Sequence, residues 1–117
     1  MALEPMSAKQ LAEAPTLFAS FLGHADRRHK TVGDLLAIYR ERRRTLRPAE
    51  DPADDLRVDR FMGDMAGNRW RAAVIIRIGV FDGRTLVIDG IHRAIAYLAC
   101  VEDGMSSDRL PALQVDC

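Results

Sequence analysis

The sequence predicts a single small α/β domain built on a mixed sheet, and three features carry that expectation. A β-branched apolar run, Ala72-Ala73-Val74-Ile75-Ile76-Arg77-Ile78, leads to Asp82-Gly83, and a second apolar run from Thr85 to Ile88 follows directly. Asp89-Gly90 then opens a segment whose apolar residues recur at helical spacing. The chain has 117 residues, 48% of them hydrophobic and 29% charged, which suits one domain with one modest core and leaves no room for a second. Within it, residues 1–55 read as a mainly helical part and residues 56–117 as the α/β core.

Residues 1–30 alternate short apolar runs with Pro5, Pro15 and Gly23, which predicts a first helix near Ser7 to Ala14 and a second near Thr16 to Leu22. Thr31 followed by Asp34 resembles an N-terminal cap with an acidic third residue, and Val32, Leu35, Leu36 and Tyr39 then recur at helical spacing. This helix has one buried face. Its other side carries Arg40, Arg42, Arg43 and Arg44, cations suited to a helix carboxyl end. With no interleaved aromatic residues, that run predicts a solvated helix face rather than a nucleic-acid stripe.

Pro48 to Asp55 reads as a surface connector, and Asp54 or Asp55 is expected to cap a short helix that ends near Gly67-Asn68. Val58, Phe61, Met62 and Met65 fall on one side of that helix, with Met62 and Met65 as core. From Ala72 the β-branched run predicts a largely buried strand. Asp82-Gly83 predicts a tight hairpin between antiparallel strands, because both positions tolerate positive φ. After Gly90, the residues Ile91, Ile95 and Leu98 or Ala99 form a helix face, with Tyr97 packed on the sheet and Cys100 an inert helix residue. Gly104 to Asp108 loops back to a final strand, Ala112 to Val115, and Cys117 reads as an exposed, uncommitted thiol.

Seventeen basic residues balance seventeen acidic ones, so there is no long-range attraction toward nucleic acid or an anionic membrane. No window approaches the roughly 18 to 20 apolar residues of a membrane span, and Met1-Ala2-Leu3-Glu4-Pro5 lacks the basic and apolar start of a leader. A cytoplasmic protein is the expectation. Cys100 and Cys117 form no metal-ligand spacing and are expected as free thiols.

The order strand, Asp89-Gly90, helix carries the chemistry. Glycine lets the backbone turn without a Cβ clash, the first helical N–H groups are left unpaired, and the helix dipole favours an anion there. His92 and Arg93 add directional donors for phosphate oxygens. Asp89 would oppose an anion unless it caps the helix, accepts a proton or holds Mg²⁺. Trp70, between Arg69 and Arg71, is a candidate for the wall of a substrate pocket, and a core or rim position is its structural alternative.

The stretch from Thr85 to Ala99, with Asp89-Gly90-Ile91-His92-Arg93 at its centre, resembles the DGxHR signature of the ParB/sulfiredoxin superfamily. Val58 to Met65, Val74 to Ile78 and Leu110 to Val115 are similar to the elements that flank it in that family. The likeness to chromosome-partitioning members stops at Gly90, Arg93 and Ala96. Sulfiredoxins place a catalytic cysteine where this chain has Ile91. Free amino-acid kinases of the same fold, serine kinases among them, use a DGHHR form.

That last resemblance implies a kinase-like enzyme acting on a small, amino-acid-like substrate with ATP or another nucleotide and Mg²⁺. Gly90, Ile91, His92 and Arg93 would then hold the phosphates. Asp89 would lie at the metal or the transferred group, as a catalytic residue with His92. The family also uses an upstream glutamate as a base, for which Glu13 is the positional candidate and Glu4 the other. Two alternatives stand beside it. One is a non-catalytic module in which nucleotide binding controls association with DNA or protein, including a homodimer. The other is a biosynthetic enzyme that uses Asp89 and His92 as an acid–base pair.

Overall fold

The computed structural model describes residues 3–16, 31–45, 53–67, 69–70, 72–81, 83–106 and 109–116. Among them lie four helices and a four-stranded mixed sheet. The elements run β1 (Leu3–Pro5), α1 (Ala8–Glu13), α2 (Val32–Thr45), α3 (Ala53–Ala66), β2 (Val74–Phe81), β3 (Arg84–Asp89), α4 (Ile91–Glu102) and β4 (Leu113–Asp116). The helices gather on one face of the sheet, in an α+β arrangement.

Local chemistry sets the helix starts. Ser7 Oγ accepts the Gln10 N–H while Gln10 Oε1 accepts the Ser7 N–H, a reciprocal cap that opens α1. Thr31 and Asp34 do the same for α2, at 3.0 and 3.1 Å, as their spacing predicts. α3 differs from expectation. It begins at Ala53, so Asp55 lies inside the helix, fully buried, rather than capping it.

The reason is on α2. Arg43 reaches Asp55 at 3.1 Å and Arg42 reaches it at 3.4 Å, while Arg43 also holds Asp59 at 3.0 Å. Arg40 donates to the Ala99 carbonyl at the end of α4 and to Asp103. Only Arg44, paired with Glu41 one turn away, stays on the surface. The predicted solvated arginine face is therefore corrected: three of its four guanidinium groups tie α2 to α3 and α4. A carboxylate as deeply buried as Asp55 requires such partners, since an unpaired buried charge is strongly destabilising.

β2 and β3 form the expected antiparallel hairpin, Phe81 opposite Arg84, with Gly83 at a φ of 75°. Asp82 lies outside the described residues. β2 is buried on one face only. Val74 and Ile76 face the helices whereas Ile75 and Arg77 are exposed, so the predicted largely buried strand holds for alternate residues. The sheet order is β1-β4-β2-β3, with β4 parallel to β2 and antiparallel to β1. β4 begins and ends one residue later than predicted, and β1 was not anticipated.

A helix starting at Thr16 is also overturned. Thr16 is buried and bridges Val87 in parallel, and the Val87 N–H donates to the Pro15 carbonyl at 2.8 Å, so Pro15-Thr16 extends along the outer edge of β3. The rest of that predicted helix, residues 17–22, lies outside the described residues, as do Gly23 and Cys117.

α4 is the centre of the core. Every residue from Ala94 to Cys100 is buried, as expected of a helix enclosed on several sides rather than amphipathic on one. Leu35, Leu36 and Tyr39 come to it from α2, Val58 and Met65 from α3, and Val74, Ile76 and Leu113 from the sheet. Each such large side chain contributes about 1.5 to 3 kcal/mol by leaving water. Met62 is half-buried against this cluster and Tyr97 is part of it. Among the described residues no helix is long and apolar enough to cross a membrane.

Candidate functional site at the β3–α4 turn

Gly90 joins β3 to α4 in the left-handed conformation, φ 84° and ψ 16°. Two constraints demand glycine. An L side chain is strained at that φ, and a Cβ would lie 2.7 Å from the carbonyl oxygen of Ile75 on β2. The turn is thus pressed onto the neighbouring strand. The Ala94 N–H donates to the Gly90 carbonyl at 2.9 Å, the first bond of α4, and no side chain caps the helix.

Asp89 is exposed, and its Oδ1 accepts the Gly90 N–H at 2.9 Å. It therefore steadies the turn without capping α4, which corrects the reading of Asp89 as a helix cap. Ile91 is buried and roots the helix in the core, and His92 is half-buried in the first turn.

Arg93 is exposed and has an aromatic seat. Its guanidinium carbon lies 6.0 Å from the ring centroid of Phe61 and 6.0 Å from that of Trp70. The two rings meet edge to face at 5.3 Å. Trp70 is held in turn by the end of α3, where the Arg69 and Trp70 N–H groups both donate to the Asp64 carbonyl. The Trp70 side chain packs on the core, and its indole N–H is buried without a hydrogen-bond partner. Trp70 is thus at the rim of the core, the structural alternative expected for it, and beside Arg93.

Glu13 ends α1 two residues before Pro15, whose carbonyl accepts the Val87 N–H of β3. Earlier in α1, Ala8, Lys9 and Ala12 line a shallow cavity together with Leu98, Val101 and Glu102 of α4. Glu13 is exposed and forms no hydrogen bond or ion pair with Asp89, His92 or Arg93. Glu4, on β1, is exposed at the far edge of the sheet from β3. Among the described residues no three His, Cys, Asp or Glu side chains cluster to hold a metal ion.

Three residues near the turn were missed from the sequence. Phe61 was counted only as part of the apolar stripe of its helix. Arg77 and Asp116 form, with Asp89, one row across three strands: Asp116 pairs with Arg77, and Arg77 pairs with Asp89. Paired residues share a face, so all three occupy the side of the sheet away from α4, with Asp116 and Asp89 about 10 Å apart between Cα atoms, two strand spacings. The signal for Arg77 was its charge within an otherwise apolar run. Asp116 gave none.

A scan against protein-family models found no match for this chain, and comparison with curated proteins and with solved structures gave none either.

Proposed function

We propose that the chain is a ParB/sulfiredoxin-like domain that binds the phosphates of a nucleotide at Asp89 to Arg93 and transfers a phosphoryl group to a small, amino-acid-like acceptor. The observation that carries this reading is the Gly90 turn. A backbone pressed against Ile75, with no Cβ and no side-chain cap, leaves an uncapped helix N-terminus beside the Arg93 guanidinium and the His92 ring. Phosphoryl transfer needs mainly positioning and charge neutralisation, which a site this small can supply.

Asp89 uses one carboxylate oxygen on Gly90, and its other oxygen would help to hold a Mg²⁺ ion. A bound Mg²⁺ would offset the charge on the phosphate oxygens. In the transfer, the acceptor hydroxyl oxygen bonds to the γ-phosphorus, the bond to the β,γ-bridging oxygen breaks, ADP leaves, and a carboxylate takes the hydroxyl proton.

A second reading is a non-catalytic nucleotide-binding module. Association with DNA through the arginine run is disfavoured, because Arg40, Arg42 and Arg43 are engaged inside the protein.

Titration calorimetry with ATP, ADP and CTP, each with Mg²⁺, tests the phosphate site. Saturable binding that is lost in Arg93→Ala is the expected result, and no binding by the folded wild type rejects it. Phosphate transfer from ATP to hydroxy amino acids then separates kinase from module.

A further inference from the structure

A cavity of about 280 Å³ opens where α1, the start of α2 and the last two turns of α4 meet. Small residues leave the room. Ala8 and Ala12 lie one turn apart on α1, and Gly33 of α2 comes so near that a Cβ there would stand 2.9 Å from the Ala12 carbonyl oxygen. Leu36 of α2 supplies part of the apolar wall, and Leu98 and Val101 supply the rest from one face of α4. Leu36 and Leu98 are buried, but Val101 is 37% exposed, one of four large apolar side chains among the described residues that stay in contact with solvent. An apolar, concave surface of this kind gains by being covered.

Two charges flank the wall, and only one of them is met. Glu102 lies 3.5 Å from Arg40 Nε, and Asp103 takes another nitrogen of the same guanidinium at 2.8 Å. Lys9 is exposed, and among the described residues its ammonium has no ion pair or hydrogen bond. An apolar wall beside an unmatched cation is the complement of an amphiphilic anion. We infer that this cavity binds a small aliphatic carboxylic acid, with its chain against Leu36, Leu98 and Val101 and its carboxylate on Lys9. A volume below the roughly 300 to 1,000 Å³ of drug-sized pockets favours a chain of a few carbons over a segment of another protein. The cavity shares no residue with Asp89 to Arg93, so it stands or falls apart from the phosphate-site reading.

The experiment is NMR titration of the ¹⁵N-labelled protein with butanoate, hexanoate and octanoate, and with 1-hexanol and hexylammonium as controls. A short peptide ending in leucine, as free acid and as amide, is titrated alongside. Saturable shifts are expected at the amides of Ala8, Lys9, Ala12, Val101 and Glu102. Affinity should rise about fourfold per added methylene from butanoate to hexanoate, and hexanoate should bind at least threefold tighter than either control. Lys9→Gln should lose threefold or more for hexanoate and nothing for 1-hexanol, Lys9→Glu should prefer hexylammonium, and Ala8→Leu, which fills the cavity, should lose tenfold or more for hexanoate.

Absence of saturable shifts at these amides with all three acids overturns the site. Unchanged hexanoate affinity in both Lys9 variants overturns it too, and because Lys9 is exposed their folding is not in question. A wild type that binds hexylammonium more tightly than hexanoate would give the cavity to a cation at Glu102 and reject the proposal. Tenfold tighter binding of the free-acid peptide than of hexanoate, lost in the amide, would make a protein terminus the occupant and reject it as well.

Discussion

Gly90 approaches Ile75 so closely that a Cβ on the glycine would sit 2.7 Å from the Ile75 carbonyl oxygen, whereas Gly83, also at positive φ, has nothing within 4 Å of the equivalent position. The two glycines separate conformational strain from steric exclusion. Gly83→Ala should cost about 1 to 2 kcal/mol, the left-handed penalty alone. Gly90→Ala adds displacement of a strand backbone and should cost roughly 1 to 3 kcal/mol more. Urea denaturation of both variants measures the difference, and equal losses would contradict the close approach.

The arginines of α2 should sort by their partners. Asp55→Asn removes the charge that Arg42 and Arg43 converge on and is expected to destabilise the fold by about 3 kcal/mol. Arg44→Ala breaks an exposed pair with Glu41 and should change stability by less than about 0.5 kcal/mol. Thermal and urea unfolding of the two variants checks this, and similar effects in both would mean that the buried network contributes little.

Stability should fall in alkaline solution. Burial, followed by the hydrogen bond to Asp59, raises the pKa of the Tyr39 hydroxyl above its ordinary 10.0. Burial likewise raises the Cys100 thiol above 9.0 and the Tyr97 hydroxyl above 10.0. Each group keeps its proton in the folded chain at a pH where the unfolded chain releases it. The stabilisation is thus complete below the ordinary values and is lost as pH rises beyond them. The urea midpoint should drop between about pH 9 and pH 11, and Tyr39→Phe, which cannot ionise, should drop less steeply. A wild-type midpoint that stays flat over this range would contradict the assignment.

Trp70 is the only tryptophan, so its fluorescence reports on the Arg93 seat. Arg93→Ala should alter the emission and cost about 0.5 to 1 kcal/mol, the worth of an exposed cation–π contact. Adding Mg²⁺ and ATP should change wild-type emission as Arg93 turns from the rings to phosphate, with no change in the variant. Identical spectra for wild type and Arg93→Ala would place the guanidinium elsewhere.

Where the determinants are local, the sequence was readable. The Thr31 and Asp34 cap needs only three residues of separation, and the hairpin at Gly83 and the helix after Gly90 follow from backbone freedom beside apolar runs. What escaped depends on distant partners. Asp55 looked like a surface cap because the arginines that bury it belong to the preceding helix. β1 has three residues, one of them proline, and exists because β4 pairs with it. Asp116 joins Arg77, and through it the row that includes Asp89, only by the parallel pairing of β4 with β2.

That same pairing bears on how the protein is made. β2 and β3 can close their hairpin as soon as both have left the ribosome, but β1 and β2 meet no common neighbour until β4 inserts between them. Leu3 is synthesised about 110 residues before Leu113, a wait of roughly 5 to 20 s at ordinary translation rates. β2 ends at Phe81, about 30 residues before Leu113, so for roughly 2 to 6 s of that wait one edge of β2 has no strand partner and can recruit a foreign strand. Nascent chains stalled before β4 should therefore be the form that chaperones engage and that aggregates first.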